Sequence, residues 1–233
     1  MLISIIIPTH NDGENNIFFQ TLENLRSLKN IEVIVVDLDS KSDFLGKIKN
    51  YSITYYSVPL QSRGKRLSYG SKRANGDIIL YHHPRSLIDI RAIDFLKEHH
   101  QSFHWGALTH NFIEKRWFYK FTSWYSNYIR GDIRKIYYLD HCIFVKKHIL
   151  DEINHMPPHE IFEDTVLCNL LKKVYKPIRI EFVSQTSAIR FEKNGIVFQS
   201  CMNFILKLCF AIGISTKKMN EIYEKGLNLN SKK

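Results

Sequence analysis

The sequence predicts an α/β protein: a mostly parallel, doubly wound sheet flanked by helices, with further helices at the C-terminal end. Three observations predict it. Short continuous apolar runs, rich in β-branched residues, recur at residues 2–8 (LISIIIP), 31–36 (IEVIVV) and 77–81 (DIILY). Such runs mark strands buried on both faces, as in parallel sheets. Helical-period segments separate them, and polar turns (THNDGENN, DLDSKSD, PLQSRG) follow the first strands. Alternating strand and helix over the first 85 residues is the pattern of parallel crossovers.

Taken in order, the first strand is 2–8. A helix then runs to about Leu28, with Asn11 or Asp12 as its cap and Phe18, Leu22, Leu25 and Leu28 at helical spacing. The second strand, 31–36, ends at Asp37 and leads to a short helix; 51–58 is a third strand. A basic helix spans about Lys65 to Ala74 and is stopped by Asn75-Gly76 before the fourth strand. Beyond it, 89–100 reads as helix, 105–113 as strand and 115–130 as an aromatic-rich helix. Residues 137–153 read as a strand entering a helix, 162–174 as a helix with acids in its first turn, 178–191 as strand, and 196–224 as two helices.

The 233 residues suit a principal domain over 1–195 with a C-terminal helical appendage over 196–233, packed on it or lying at a membrane surface. Apolar residues begin at Leu2 without a basic leader, so a strand rather than a signal peptide is expected there. The run 196–214 is interrupted by Gln199, Ser200, Asn203 and Lys207, which fits a buried or interfacial helix better than a membrane span. Cys142, Cys168, Cys201 and Cys209 have no paired spacing and read as reduced thiols, mostly in the core, of a cytoplasmic protein. The net charge of +10, densest at 63–66 and 130–135, points to anionic partners. No nucleic-acid motif accompanies it, so nucleic acid ranks low among them.

Open α/β sheets bind ligands beyond the carboxyl ends of their strands. The loops carrying Thr9–Asp12, Asp37–Ser40 and His82–Ser86 should therefore share one cleft. Asp37, Asp39 and Ser40 either accept hydrogen bonds from a nucleobase or ribose or cap the next helix. Arg63, Lys65 and Arg66 around Gly64 either make an anion site at a helix start or a solvated basic loop. His82 and His83 point to opposite faces and are not expected to share a metal. Glu163 and Asp164 open a helix, where its dipole alone favours acids; in a cleft, such an acid accepts a proton from an attacking hydroxyl.

Together these segments resemble family 2 glycosyltransferases of the GT-A fold, whose nucleotide-binding half is Rossmann-like. The resemblance runs in order over about 2–224, through ISIIIPTHND, IEVIVVDLDSKSD, SRGKRLSYGSKRANGDIIL, YLDHCIFVKKHIL and IFEDTVLCNLLKK. More narrowly, it is similar to short bacterial transferases of a selenium- or radical-SAM-associated group. The resemblance implies that Pro8, Thr9, Asn11 and Asp12 line the nucleotide, with Asp37 near the base, where the bulkier Leu38-Asp39 replaces two glycines. It sets Arg63 and Lys65 near the ribose or diphosphate, Asp140 at the acceptor or sugar, Asp164 as general base and Glu163 beside it. It implies a nucleotide-linked sugar donor, UDP- or GDP-linked, and inversion at the anomeric carbon, while the helix at 196–214 and the basic charge suit a glycan or lipid-linked acceptor at the inner face of an anionic membrane.

One departure stands out. After the fourth strand this chain reads LYHHPRS, with Arg85 where the family carries the aspartate that holds Mg²⁺ or Mn²⁺ on the diphosphate. A cation there repels a divalent ion. Either Arg85 itself neutralises the diphosphate in a metal-independent enzyme, or the chain is a non-catalytic nucleotide- or sugar-binding relative.

Overall fold

The computed structural model describes residues 1–38 and 42–221. Asp39 and Ser40, read above as nucleotide contacts, lie outside the described residues, as do residues 222–233 of the C-terminal segment.

One eight-stranded sheet organises the chain, in the order β3-β2-β1-β4-β7-β6-β8-β5. Its first half holds β1 (Ile3–Thr9), β2 (Ile31–Asp37), β3 (Thr54–Ser57) and β4 (Ile78–Tyr81), paired in parallel. Its second half is mixed. β7 (Ile143–Lys146) runs antiparallel to β4 and to β6 (Trp105–Phe112), and β6 pairs in parallel with β8 (Ile178–Thr186).

Every residue of β1 is buried, because both faces of the sheet are covered. Strand alternation sends Ile3, Ile5 and Ile7 to one side. There they meet Phe18 and Leu22 of α1 (Asn16–Leu25), Phe44 of α2 (Ser42–Ile48) and Leu96 of α4 (Arg91–Glu98). Ile6 faces the other side, with Leu67 of α3 (Arg63–Arg73), Leu150 of α6 (Lys147–Glu152) and Leu167 of α7 (Glu163–Leu171). A Cβ at Gly70 would lie 2.7 Å from Ile6 and 2.9 Å from Val36, so glycine lets α3 press onto the sheet.

Three local expectations are corrected. The cap of α1 is Asn15, whose side chain accepts from Phe18 N, and not Asn11 or Asp12; Asn11 instead takes a left-handed backbone (φ 52°) that continues the loop. β5 (Ser86–Ile88) was not expected: three residues carry no readable period, and the strand forms by pairing with β8 about a hundred residues on. The strand expected over 178–191 ends at Thr186, where Glu114 takes the Ser187 hydroxyl and the Ala188 N–H and turns the chain into α8 (Ile189–Asn194).

α5 (Trp117–Trp124) passes into a π-helix at Tyr125–Ile133, so the aromatic segment is helical as read. Gly195 (φ 80°) separates α8 from α9 (Ile196–Ala211), and α10 (Thr216–Asn220) follows. Only Gln199 of α9 is buried, so this helix lies on the surface. Among the described residues no helix is long and apolar enough to cross a membrane. Cys142 and Cys168 are core residues, but Cys201 is exposed and Cys209 half-buried on α9.

Candidate active site

A cavity of about 300 Å³ opens beyond the carboxyl end of β4. Arg63, Arg85, Asp140 and Asp164 line it, brought from four separate segments. α8 and α9 form its far wall through Arg190, Phe191, Gln199, Asn203 and Lys207.

The acidic pair sits at the start of α7. Phe162 precedes it in a left-handed conformation (φ 60°), and Glu163 and Asp164 are only 1% and 7% exposed. Arg63 answers both: its Nε donates to Glu163 Oε1, and its Nη2 lies 3.8 Å from Asp164 Oδ2. Asp164 also accepts from Leu139 N (3.1 Å) and Thr165 N (2.7 Å). Burial, and then the charge of Glu163, push the Asp164 pKa up to about 6, against the pull of Arg63 and the two N–H groups. The same carboxylates hold the Arg63 guanidinium firmly charged although burial opposes it.

The basic segment 63–66 divides its labour. Ser62 caps α3 by accepting from Lys65 N, and its hydroxyl donates to His159 O at 2.8 Å, so the helix start is not an open anion site. Lys65 Nζ lies 3.5 Å from Glu160 and is absent from the cavity lining. Arg66 turns back to the carbonyls of Leu60 and Gln61. Gly64 serves close approach: a Cβ there would sit 2.7 Å from Pro157 O and 2.9 Å from His159 O. Arg63 alone of the segment reaches the cavity.

After β4, alternation divides the histidines as expected. His82 is buried against Cys142 (3.7 Å), and His83 lines the cavity. Burial holds His83 down to about 3, with Arg63, Arg190 and Arg85 adding to it against Asp140, so the ring is neutral. Burial, the charge of Arg190 and, in opposition, Asp12 set Arg85, whose pKa is lowered. Its guanidinium has no hydrogen bond or ion pair among the described residues and faces the cavity. Burial disfavours the Asp140 carboxylate, yet His83, His110, Arg63 and Arg190 together hold its pKa below the usual range.

The remaining candidates form a layer beside the cavity at the ends of β1 and β2. Thr9 donates to Asp37 Oδ1 (2.7 Å) and Tyr55 to Asp37 Oδ2 (3.1 Å), so fully buried Asp37 ties β1, β2 and β3 together. Asp12 accepts from His10 N and from the Asn15 amide (3.0 Å each). Asn15 donates also to Pro84 O (2.9 Å), joining the Asp12 loop to the Arg85 loop. Pro8, Thr9, Asn11, Asp12 and Asp37 therefore share the expected edge of the sheet but do not line the cavity itself.

Sequence reasoning missed Arg130, Tyr138, Arg190 and Lys207 as cavity residues. Arg130 was visible only as part of a basic patch. Lys207 was visible as a lone cation within an apolar run, the one signal that would have singled it out.

Among the described residues, the donor set after β4 is a poor fit for a divalent ion. The segment after β4 offers a neutral imidazole and a guanidinium, and Asp140 in the same cavity lies in the field of Arg63 and Arg190. Among the described residues no group of three or more His, Cys, Asp or Glu side chains could hold a metal ion.

This sheet, with its cleft at the carboxyl edge, is the GT-A architecture of solved glycosyltransferases. The model of "Glycosyl transferase family 2" matches residues 4–191, and the chain belongs to that family. That model describes the family at large and does not resolve the narrower selenium-associated group within it. S. aureus TarS (residues 1–349, in complex with UDP) is similar at 19% identity and TM-score 0.60, over 81% of this chain and 61% of that one. A mannosyltransferase from Pyrobaculum calidifontis, in complex with GDP-Man and Mn²⁺, is similar at 16% identity and TM-score 0.58, over 78% of this chain and 56% of that one. Glucosyl-3-phosphoglycerate synthase from Mycobacterium tuberculosis, with Mn²⁺, UDP and glucosyl-3-phosphoglycerate, gives 13% identity and TM-score 0.54, over 80% and 70%. At these identities the likeness concerns the fold. No curated protein matches the sequence.

Proposed function

We propose that the protein transfers a sugar from a UDP- or GDP-linked donor to an acceptor hydroxyl, with inversion and without a divalent metal. The observation that carries this is the presence in one cavity of a buried carboxylate, Asp164, and the Arg85 guanidinium, which has no ion pair among the described residues. The acceptor oxygen attacks the anomeric carbon from the side opposite the diphosphate. The new C–O bond forms as the bond to the diphosphate breaks, Asp164 takes the acceptor's proton, and the negative charge leaves on the nucleoside diphosphate. Arg85 and Arg63 stabilise that charge, a task suited to guanidinium groups. Glu163 acts by fixing Arg63. On this reading Pro8, Thr9, Asn11, Asp12, Asp37 and Asp39 hold the nucleotide, Lys65 approaches its ribose or diphosphate, and Asp140 faces the sugar.

The acceptor on this reading is a glycan or a lipid-linked molecule met at an anionic membrane face, with 196–221 as the contacting appendage. Exposed Trp117, Phe121 and Trp124 on α5 and Phe204, Ile205 and Leu208 on α9 support it. So does the charge: residues 113–135 and 187–221 carry eleven Lys and Arg against four Asp and Glu.

Thermal shift against UDP, GDP, CDP and dTDP, each with Mn²⁺ and with EDTA, tests the donor site. A ligand at a hundred times its Kd stabilises by about 2.7 kcal/mol. Stabilisation that survives EDTA is expected. Stabilisation only with Mn²⁺ would overturn the metal-independent role of Arg85, and no shift with any nucleotide would favour a non-catalytic relative.

A further inference from the structure

Arg130, from the π-helix, and Lys207, from α9, stand on the C-terminal side of the cavity, and neither has an ion pair among the described residues. Both approach the ring of Tyr138, with Arg130 Cζ 3.5 Å and Lys207 Nζ 5.9 Å from its centroid. Arg130 donates to the Ser126 hydroxyl, and its buried Nε has no hydrogen-bond partner among the described residues. Lys207 has no hydrogen bond or ion pair among the described residues, and burial, with Arg130 and Arg134 nearby, pushes its pKa down to about 8. Drawing two cations out of water without a counter-charge is costly, and a bound anion would offset that cost. The cavity's own acids are committed elsewhere: Asp164 to Arg63 and two N–H groups, Asp140 to the cations around it.

We infer that Arg130 and Lys207 form a second anion subsite, which takes a phosphoryl group carried by the acceptor. Calling its occupant the acceptor rests on the transferase reading of the cavity. Position supports the assignment. Tyr138 immediately precedes Leu139, whose N–H holds Asp164, so the subsite adjoins the general base, whereas Arg85 lies at the strand-end loop joined through Asn15 to Asp12. A phosphate anchored there would bring a neighbouring hydroxyl toward Asp164. A lipid headgroup and a soluble sugar phosphate share this chemistry.

The test is calorimetric titration of the full chain with glycerol phosphate, alone and with saturating UDP or GDP, beside co-sedimentation with phosphatidic acid vesicles. Wild type, Lys207→Met and Arg130→Gln are compared, so that one misfolded variant does not end the test. Binding in either arm, weakened tenfold or more by the variants while nucleotide affinity changes less than twofold, is expected. Binding only to vesicles identifies a lipid-borne phosphate, and binding to glycerol phosphate a soluble one. The inference falls if neither probe binds, if both variants bind like wild type, or if nucleotide displaces the phosphate. Should no nucleotide bind while the phosphate does so through Lys207, the donor reading fails and the anion subsite stands.

Discussion

Arg63 Nη2 lies 3.8 Å from Asp164 Oδ2, across the cavity's inner wall. Its Nε is held by Glu163, so one guanidinium serves two adjacent buried acids of unequal role. The proton affinity of Asp164 is a balance of burial and Glu163 against Arg63.

That balance gives opposite signs for two substitutions. Arg63→Gln should raise the Asp164 pKa above about 6, and Glu163→Gln should lower it. Carboxyl ¹³C NMR titration reads both directly; shifts of the same sign in the two variants would refute the balance. Because the folded-state pKa exceeds the unfolded value of about 3.9, the folded state holds this proton more tightly. The Asp164 contribution to stability is therefore full below pH 4 and is lost as pH rises through 6. The base form needed for transfer grows over the same interval, so kcat/KM should fall on the acid side of about pH 6.

Asp164→Asn removes the proton acceptor while keeping the side chain's size. Transfer should fall by about 10²- to 10⁴-fold, the usual worth of a positioned base. Nucleotide affinity, read by calorimetry, should stay within a fewfold. A variant with near-wild-type turnover would remove Asp164 from the mechanism.

Arg85→Gln tests the diphosphate clamp. Hydrogen bonds to charged groups contribute about 1.5–3 kcal/mol, so UDP or GDP affinity should drop roughly ten- to a hundredfold in EDTA. Arg85→Asp should weaken binding further in EDTA and restore part of it with Mn²⁺. Unchanged affinity in Arg85→Gln would assign the diphosphate to other cations.

Gly64→Ala improves helix propensity but forces a Cβ to within 2.7 Å of Pro157 O and 2.9 Å of His159 O. Overpacking of this kind costs about 1–3 kcal/mol, which lowers Tm by roughly 2–12 °C in a chain of this size. The displaced Arg63 should also alter the Asp164 titration. Stability equal to wild type would show that the 157–163 loop yields freely.

Membrane contact predicts salt-sensitive co-sedimentation with phosphatidylglycerol vesicles, lost when Phe204 and Leu208 are both changed to serine. Wild type that stays in the supernatant at low salt would dismiss it.

The sequence by itself determined the first half of the sheet, because strands buried on both faces must be apolar at every position, as Ile3–Ile7 and Val33–Val36 are. Through the resemblance its motifs carry, it singled out Arg63, Arg85, Asp140 and Asp164, but the fold is what brings these four to one cavity and leaves Thr9, Asp12 and Asp37 beside it. Tertiary structure alone decided how like residues were assigned. Arg63, Lys65 and Arg66 stand within four positions, yet they serve an acidic pair, a surface ion pair and a loop, because helical spacing turns each toward a different neighbour. Likewise, β5 and the Arg130–Lys207 pair depend on segments far apart in the chain, whose proximity no local period encodes.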